Sequence, residues 1–197
     1  TVGALNLSGG TLAGAGNLST TGAFNITGSS TISGSGVLTT RGATKIDMGV
    51  TNGYLALTGG KTWVNEGTLT VGGDDYIYFG YSSGGANVLS NASTGTLNLS
   101  NSNATPLNFY TGTATLNNAG ALNQTISGTH AIDAGINFNN NASGKIDVQT
   151  GTMTIGSSFA NSGAIALATG ATLNSGALTN ATTGTISGGG TLDLGTA

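Results

Sequence analysis

The sequence predicts an all-β protein, a parallel β-helix (β-solenoid) of about 8–9 coils of roughly 19–27 residues each. Three observations predict it. One unit recurs down the chain: apolar, any, Asn or Thr, a short turn ended by Gly, any, apolar, any, apolar. Apolar residues alternate with period two on both sides of each turn, the mark of a strand with one buried face. Only 19–27 residues separate the units, and no window carries a capped 3.6-residue period, so no helix fits between strands.

In chain order, the first two units carry Thr in the third place: Leu18-Thr20-Gly22-Phe24-Ile26 and Leu38-Thr40-Gly42-Thr44-Ile46. Six more carry Asn: Trp63-Asn65-Gly67-Leu69-Val71, Leu89-Asn91-Gly95-Leu97-Leu99, Leu116-Asn118-Gly120-Leu122, Phe138-Asn140-Gly144-Ile146-Val148, Phe159-Asn161-Gly163-Ile165-Leu167 and Leu178-Asn180-Gly184-Ile186. Separations between third places are 20, 25, 26, 27, 22, 21 and 19, a period near 20 that is stretched in the middle. Coils stack at about 4.8 Å, so eight or nine make a rod segment of roughly 40 Å. Thr20, Thr40, Asn65, Asn91, Asn118, Asn140, Asn161 and Asn180 are read as a turn ladder. Asn tolerates left-handed backbone in turns and its amides stack, and Thr bonds locally to turn backbone. The rival reading is a row of surface amides for sugar hydroxyls.

A second pattern, apolar-x-Gly-x-Gly-x-apolar, recurs in TLAGAGNL (11–18), TISGSGVL (31–38) and TISGGGTL (185–192). Gly takes positive φ at a corner without steric cost and lets coils approach closely. This accounts for 36 Gly in 197 residues, about 18% against a usual ~7%. Charged residues are only 6%, but 37% of the chain is hydrophobic, which argues against disorder.

The repeat is interrupted in three places, expected to be lengthened coils or loops: 47–62, 72–88 and 100–112. The first contains Asn52-Gly53, a hairpin or loop signal. The last contains Pro106, the one proline. Excursions from a solenoid often gather on one face and carry binding.

The segments TISGSGVLTTRGA, LNNAGALN, FANSGAIAL and LTNATTGTISGGGTLDL resemble the repeat region of filamentous-haemagglutinin-like bacterial exoproteins and autotransporter passenger domains. The resemblance covers essentially the whole chain, least well at 47–62 and 72–88. It implies a right-handed parallel β-helix, secretion or display on the bacterial cell surface, and roles in adhesion, self-association or matrix assembly. The chain starts in mid-pattern at Thr1, so residues 1–197 are expected to be one solenoid segment of a longer protein. Its expected partners are neighbouring coils of that protein, a second copy end to end, or a glycan or protein on a host or microbial surface.

Chemistry is sparse. Four basic residues (Arg41, Lys45, Lys61, Lys145) and a net charge of −3 exclude a phosphate-binding surface, so no nucleic acid is expected. No run approaches the ~18 apolar residues of a membrane helix, so no membrane insertion by this segment is expected. No Cys and a single His exclude Cys nucleophiles and His-rich zinc sites. His130 reads as a solvated or turn residue; Asp133 is close, but no G-x-S-x-G accompanies them. GGDD occurs once, which is not a tandem calcium repeat. No metal, no cofactor and no enzyme activity are expected. Asp47 and Asp147, in KIDM and KIDV, face outward by alternation and are expected to pair with lysines from coil to coil. Sequons at Asn25, Asn91, Asn98 and Asn180 carry little weight in so Asn- and Thr-rich a chain.

The most distinctive stretch is GGDDYIYFGYSSGG. Alternation puts Tyr76, Tyr78 and Gly80 on one side and Ile77, Phe79 and Tyr81 on the other. Exposed aromatics beside carboxylates suit a sugar platform or a protein contact. The candidate ligand-binding residues are therefore Asp74, Asp75, Tyr76, Tyr78, Tyr81 and Tyr110. The blander reading is a lengthened coil whose rings pack under a loop. An ice-binding face is a remote alternative, because Thr68/Thr70, Thr113/Thr115 and Thr152/Thr154 are too far apart for one row per coil.

Overall fold

The computed structural model describes residues 1–195. Three parallel sheets stack into a β-solenoid of about nine turns, and the described residues contain no helix. Two sheets have nine strands and the third has eight. Each coil contributes one strand to each sheet. The first sheet runs from Leu5–Leu7 to Thr185–Gly188, the second from Gly10–Ala13 to Thr191–Asp193, the third from Leu18–Thr20 to Leu178–Asn180. Strands pair in parallel with their counterparts in the adjacent coils, so backbone hydrogen bonds run along the rod axis.

The registers stack like residues on like. In the first sheet Leu69, Leu97, Leu122, Ile146 and Ile165 stand in one line, all buried. In the third, Leu38, Trp63, Leu89, Leu116, Phe138 and Phe159 do the same. Each such side chain removed from water contributes about 1.5–3 kcal/mol. Short strands suffice because the core is continuous from coil to coil rather than closed within one coil.

The ladder residues close each third-sheet strand, just before the corner to the next first-sheet strand. The Asn amides are joined side chain to side chain: Asn65 to Asn91 (2.8 Å), Asn91 to Asn118 (2.8 Å), Asn118 to Asn140 (2.8 Å), Asn140 to Asn161 (2.6 Å) and Asn161 to Asn180 (2.7 Å). Two expectations about this row are corrected. Its residues are not left-handed turn positions: among the described residues the only non-glycine ones with positive φ are Asn52 and Ser82. They are strand ends that point inward, and all but Asn180 are buried. Nor does Thr40 bond to local backbone. Its hydroxyl reaches Asn65 Oδ1 at 3.4 Å and accepts the Trp63 Nε1 hydrogen at 3.1 Å. Thr20 Oγ1 is buried without a partner.

Glycines are forced by close approach at the same corner. A Cβ on Gly120 would lie 2.1 Å from the Gly95 carbonyl oxygen and 2.3 Å from that of Ala92. The Gly-x-Gly copies at 14–16 and 34–36 stack on each other at the corner between the second and third sheets. The copy at 188–190 lies instead between the first and second sheets. One motif thus serves two corners, because both need only small residues.

Asn52-Gly53 makes no hairpin. It lies in the loop from the first-sheet strand Ala43–Ile46 to the second-sheet strand Tyr54–Leu57, with Asn52 at φ 53°. The lysine–aspartate pairs are also corrected. Lys45–Asp47 (2.7 Å) and Lys145–Asp147 (2.9 Å) each form within one coil, between residues two apart, rather than between coils. The pair that does cross coils is Arg41–Glu66, at 2.8 Å.

Candidate functional site

The second sheet positions the site. Tyr76–Phe79 alternates as expected, with Ile77 and Phe79 in the core and Tyr76 and Tyr78 facing out. Tyr81 does not follow the alternation. Gly80 takes φ 78° and turns the chain, returning Tyr81 to the outer side, where its ring stacks on Tyr78 at 5.1 Å and 20°. Only glycine fits at this bend, since a Cβ there would meet the Thr111 carbonyl oxygen at 1.8 Å.

Parallel register brings two more rings to the same place. Tyr54 pairs with Tyr76 from the preceding coil, and its ring lies 5.0 Å from that of Tyr81. Tyr110, just after Leu107–Phe109 of the next coil, meets Tyr78 and Tyr81 edge-on, both at 5.4 Å. All five tyrosines of the chain therefore form one outer group across three coils. Tyr110 is 54% exposed, and the other four are half-buried. Sequence reasoning missed Tyr54. The signal was its distance of 22 residues from Tyr76, within the range of coil lengths already seen.

Polar groups flank the rings. Asn108 stands beside Tyr78 in register, half-exposed, and its amide has no hydrogen bond among the described residues. Asp133 follows Ile132, which pairs with Leu107, so it lies beside Asn108 on the coil beyond, and its charge adds to the causes that raise the Tyr78 phenol. One Asp133 oxygen accepts the Gly135 N–H at 2.8 Å. Burial comes first among the causes that push Tyr78 and Tyr76 above the ordinary tyrosine value. For Tyr54 the neighbouring Tyr81 hydroxyl is the leading cause, followed by burial. Tyr54, Tyr76 and Tyr78 are thus neutral phenols throughout the physiological range.

The two aspartates do not join it as expected. Asp75 is fully buried, and its Oδ2 accepts the Met48 N–H at 2.6 Å. Its Oδ1 has no partner, and burial, with Asp47 and Asp74 nearby, raises the carboxyl above its usual range. Asp74 is engaged by the Asn52 N–H at 3.0 Å and the Ser102 hydroxyl at 3.4 Å. Their sequence adjacency to Tyr76 was misleading, because Asp74 ties together the loops before and after its own coil. His130 is corrected as well: it is buried, within hydrogen-bond reach (2.6 Å) of the Asn101 carbonyl, not solvated. Lys61 is a second surprise, buried with Nζ donating to the Gly36 carbonyl at 2.9 Å, and burial lowers its pKa. Asn91, in a sequon, is buried and held in the ladder.

Two shallow grooves lie elsewhere. One of about 210 Å³ is lined by Thr154, Asn174, Ser175 and Asp193 among others, and one of about 290 Å³ by Asn137, Phe138 and Phe159 among others. Neither includes a tyrosine. The three Thr-x-Thr segments fall on three different sheets. Among the described residues no cluster of three or more His, Cys, Asp or Glu could hold a metal ion. No helix of the described residues is long and apolar enough to cross a membrane. No family model, curated protein or solved structure matches the chain.

Proposed function

We propose that the chain is a structural and adhesive segment of a bacterial fibrous protein that is secreted or displayed on the cell surface. The solenoid supplies length, and the tyrosine face supplies attachment. One observation carries the reading: all five tyrosines converge on one outer face of a rod with only 6% charged residues. Aromatic groups of this kind are costly to leave in water and usually mark a contact surface. The sparse charge elsewhere gives little non-specific electrostatic attraction. The sequence resemblance to exported adhesin repeats supports the same setting.

The reading includes association at the rod ends, where open strand edges offer pairing to neighbouring coils or to a second copy. Sedimentation over a hundredfold dilution tests this part, and a monomer at every concentration overturns it. Attachment is tested by retention of the fluorescently labelled segment on bacterial and epithelial cells. Tyr78→Ala and Tyr110→Ala should reduce retention, and Thr70→Ala on the first sheet should not. Equal retention of all three would remove the tyrosine face from the function.

A further inference from the structure

We propose that the tyrosine face is a binding site for neutral oligosaccharides, with Tyr54, Tyr76, Tyr78, Tyr81 and Tyr110 as the stacking platform and Asn108 and Asp133 as the polar contacts. This rests on the attachment reading and names its ligand class.

Size decides against a folded partner. The rings span three coils, about 10 Å along the axis, and roughly 15 Å along the strand direction. That footprint of roughly 150 Å² is far below the ~800 Å² per partner of a stable protein interface. A second copy or a globular receptor would need most of its contact elsewhere on the rod. A sugar of a few units needs no more than this area.

Charge decides among small ligands. No basic residue lies in the group, and Asp133 stands beside Asn108, one coil beyond Tyr78. Sulfated, phosphorylated or uronic-acid glycans would meet a carboxylate with no compensating cation. Geometry decides against a quaternary ammonium or methylated amine. Such ligands need rings arranged around an empty centre. Here Tyr78 and Tyr81 stack on each other and Tyr110 meets both edge-on, so the rings fill their own centre.

The remaining chemistry matches a pyranose. Its C–H face is apolar and its rim carries hydroxyls. The tyrosine rings offer flat apolar area with hydroxyls at their tips. The Asn108 amide offers donors and an acceptor, and the Asp133 oxygen not used by Gly135 accepts from a sugar hydroxyl. Both polar groups are in place beforehand on strands or at their ends, which limits the ordering cost of binding.

The test is a printed array of neutral oligosaccharides (gluco-, manno-, galacto- and chito-oligomers) beside heparin and alginate fragments, followed by titration calorimetry on the best ligand. The expected result is binding to at least one neutral series and to no anionic one. Tyr78→Ala and Asn108→Ala should each weaken it about tenfold or more. Tyr110→Ala removes a mostly exposed ring and guards against misreading an unfolded variant. Binding only to anionic fragments, or to a proline-rich peptide included on the array, overturns the ligand class. A blank array with cell retention that still depends on Tyr78 overturns the glycan proposal and keeps the attachment reading. Retention independent of the tyrosines overturns both.

Discussion

Asn118 donates its amide hydrogen to Oδ1 of Asn140 one coil away, at 2.8 Å, while its own Oδ1 accepts from Asn91, also at 2.8 Å. Its second amide hydrogen goes to the Lys145 carbonyl at 3.1 Å. Asn118→Ala breaks all three bonds in a buried site and should cost about 2–4 kcal/mol, measured by urea unfolding. The comparison is Asn123→Ala, which removes a half-exposed outer amide pair with Asn98 at 2.9 Å. That variant should stay within about 0.5 kcal/mol. Equal costs would mean that the inner row is not what holds the corner.

Gly120→Ala should be among the most damaging single-carbon additions in the chain. Its new methyl meets two carbonyl oxygens of the previous corner within 2.3 Å, and neither is the end of a flexible side chain. A loss of about 3 kcal/mol or more is expected. Gly16→Ala has nothing within 4 Å of the new Cβ and should change stability little. Thermal midpoints of the two variants decide this.

Asp75 gives the fold a pH dependence opposite in sign to that of a salt-bridged carboxylate. Burial holds its carboxyl above the ordinary value, so the folded protein binds that proton more tightly than the unfolded chain does. Its contribution is fully present below pH ~4 and is lost as pH rises through the folded value. Asp75→Asn keeps an acceptor for the Met48 N–H and cannot ionise. The stability difference, parent minus variant, should fall from pH 4 upward and then level off. A difference that rises with pH would overturn the assignment.

Tyr54, Tyr76 and Tyr78 should titrate late. Tyr54, Tyr76 and Tyr78 are raised in the folded protein, Tyr54 chiefly by the Tyr81 hydroxyl. In Tyr81→Phe, Tyr54 should move back toward the ordinary value near ~10 while Tyr76 stays raised by burial. Site-resolved NMR of labelled tyrosine reads both. Because the folded values are raised, stability should also fall as pH climbs past ~10. An unmoved Tyr54 would mean that burial, not its neighbour, sets its value.

Most of the fold was readable from the repeat. Alternating apolar residues on either side of a Gly-ended turn specify strand, corner and inward face, and the period specifies parallel stacking. The third-place Asn row was visible too, but not its location. Spacing alone does not tell a turn residue from a strand-end residue that points inward. The site was only half legible for the same reason. Tyr76 and Tyr78 follow from alternation, whereas Tyr81 depends on the bend at Gly80 and Tyr54 on the pairing between coils. Asp75 misled because a carboxylate one residue before an exposed tyrosine sits on the opposite side of the strand. His130 and Lys61 could not have been found by composition, since polar residues in this core are tolerated wherever a neighbouring coil presents a carbonyl.

The buried amide row also has a sense of direction. From Asn65 to Asn161 every Nδ2 donates to the coil after it, and from Asn91 to Asn180 every Oδ1 accepts from the coil before it. Reversing one amide would set oxygen against oxygen on one side and hydrogen against hydrogen on the other, so a single member cannot flip cheaply. Reversing all of them would abandon the carbonyls of Thr96, Ala121, Lys145 and Ala164, which take the second amide hydrogens. The start is set as well: Trp63 occupies a lone pair of the Thr40 hydroxyl, which leaves its hydrogen aimed at Asn65. The six amides therefore behave as one aligned dipole array, pinned at its origin and along its length. A coil added at the C-terminal side meets a donor already in position, and the residue that answers it must bring an acceptor.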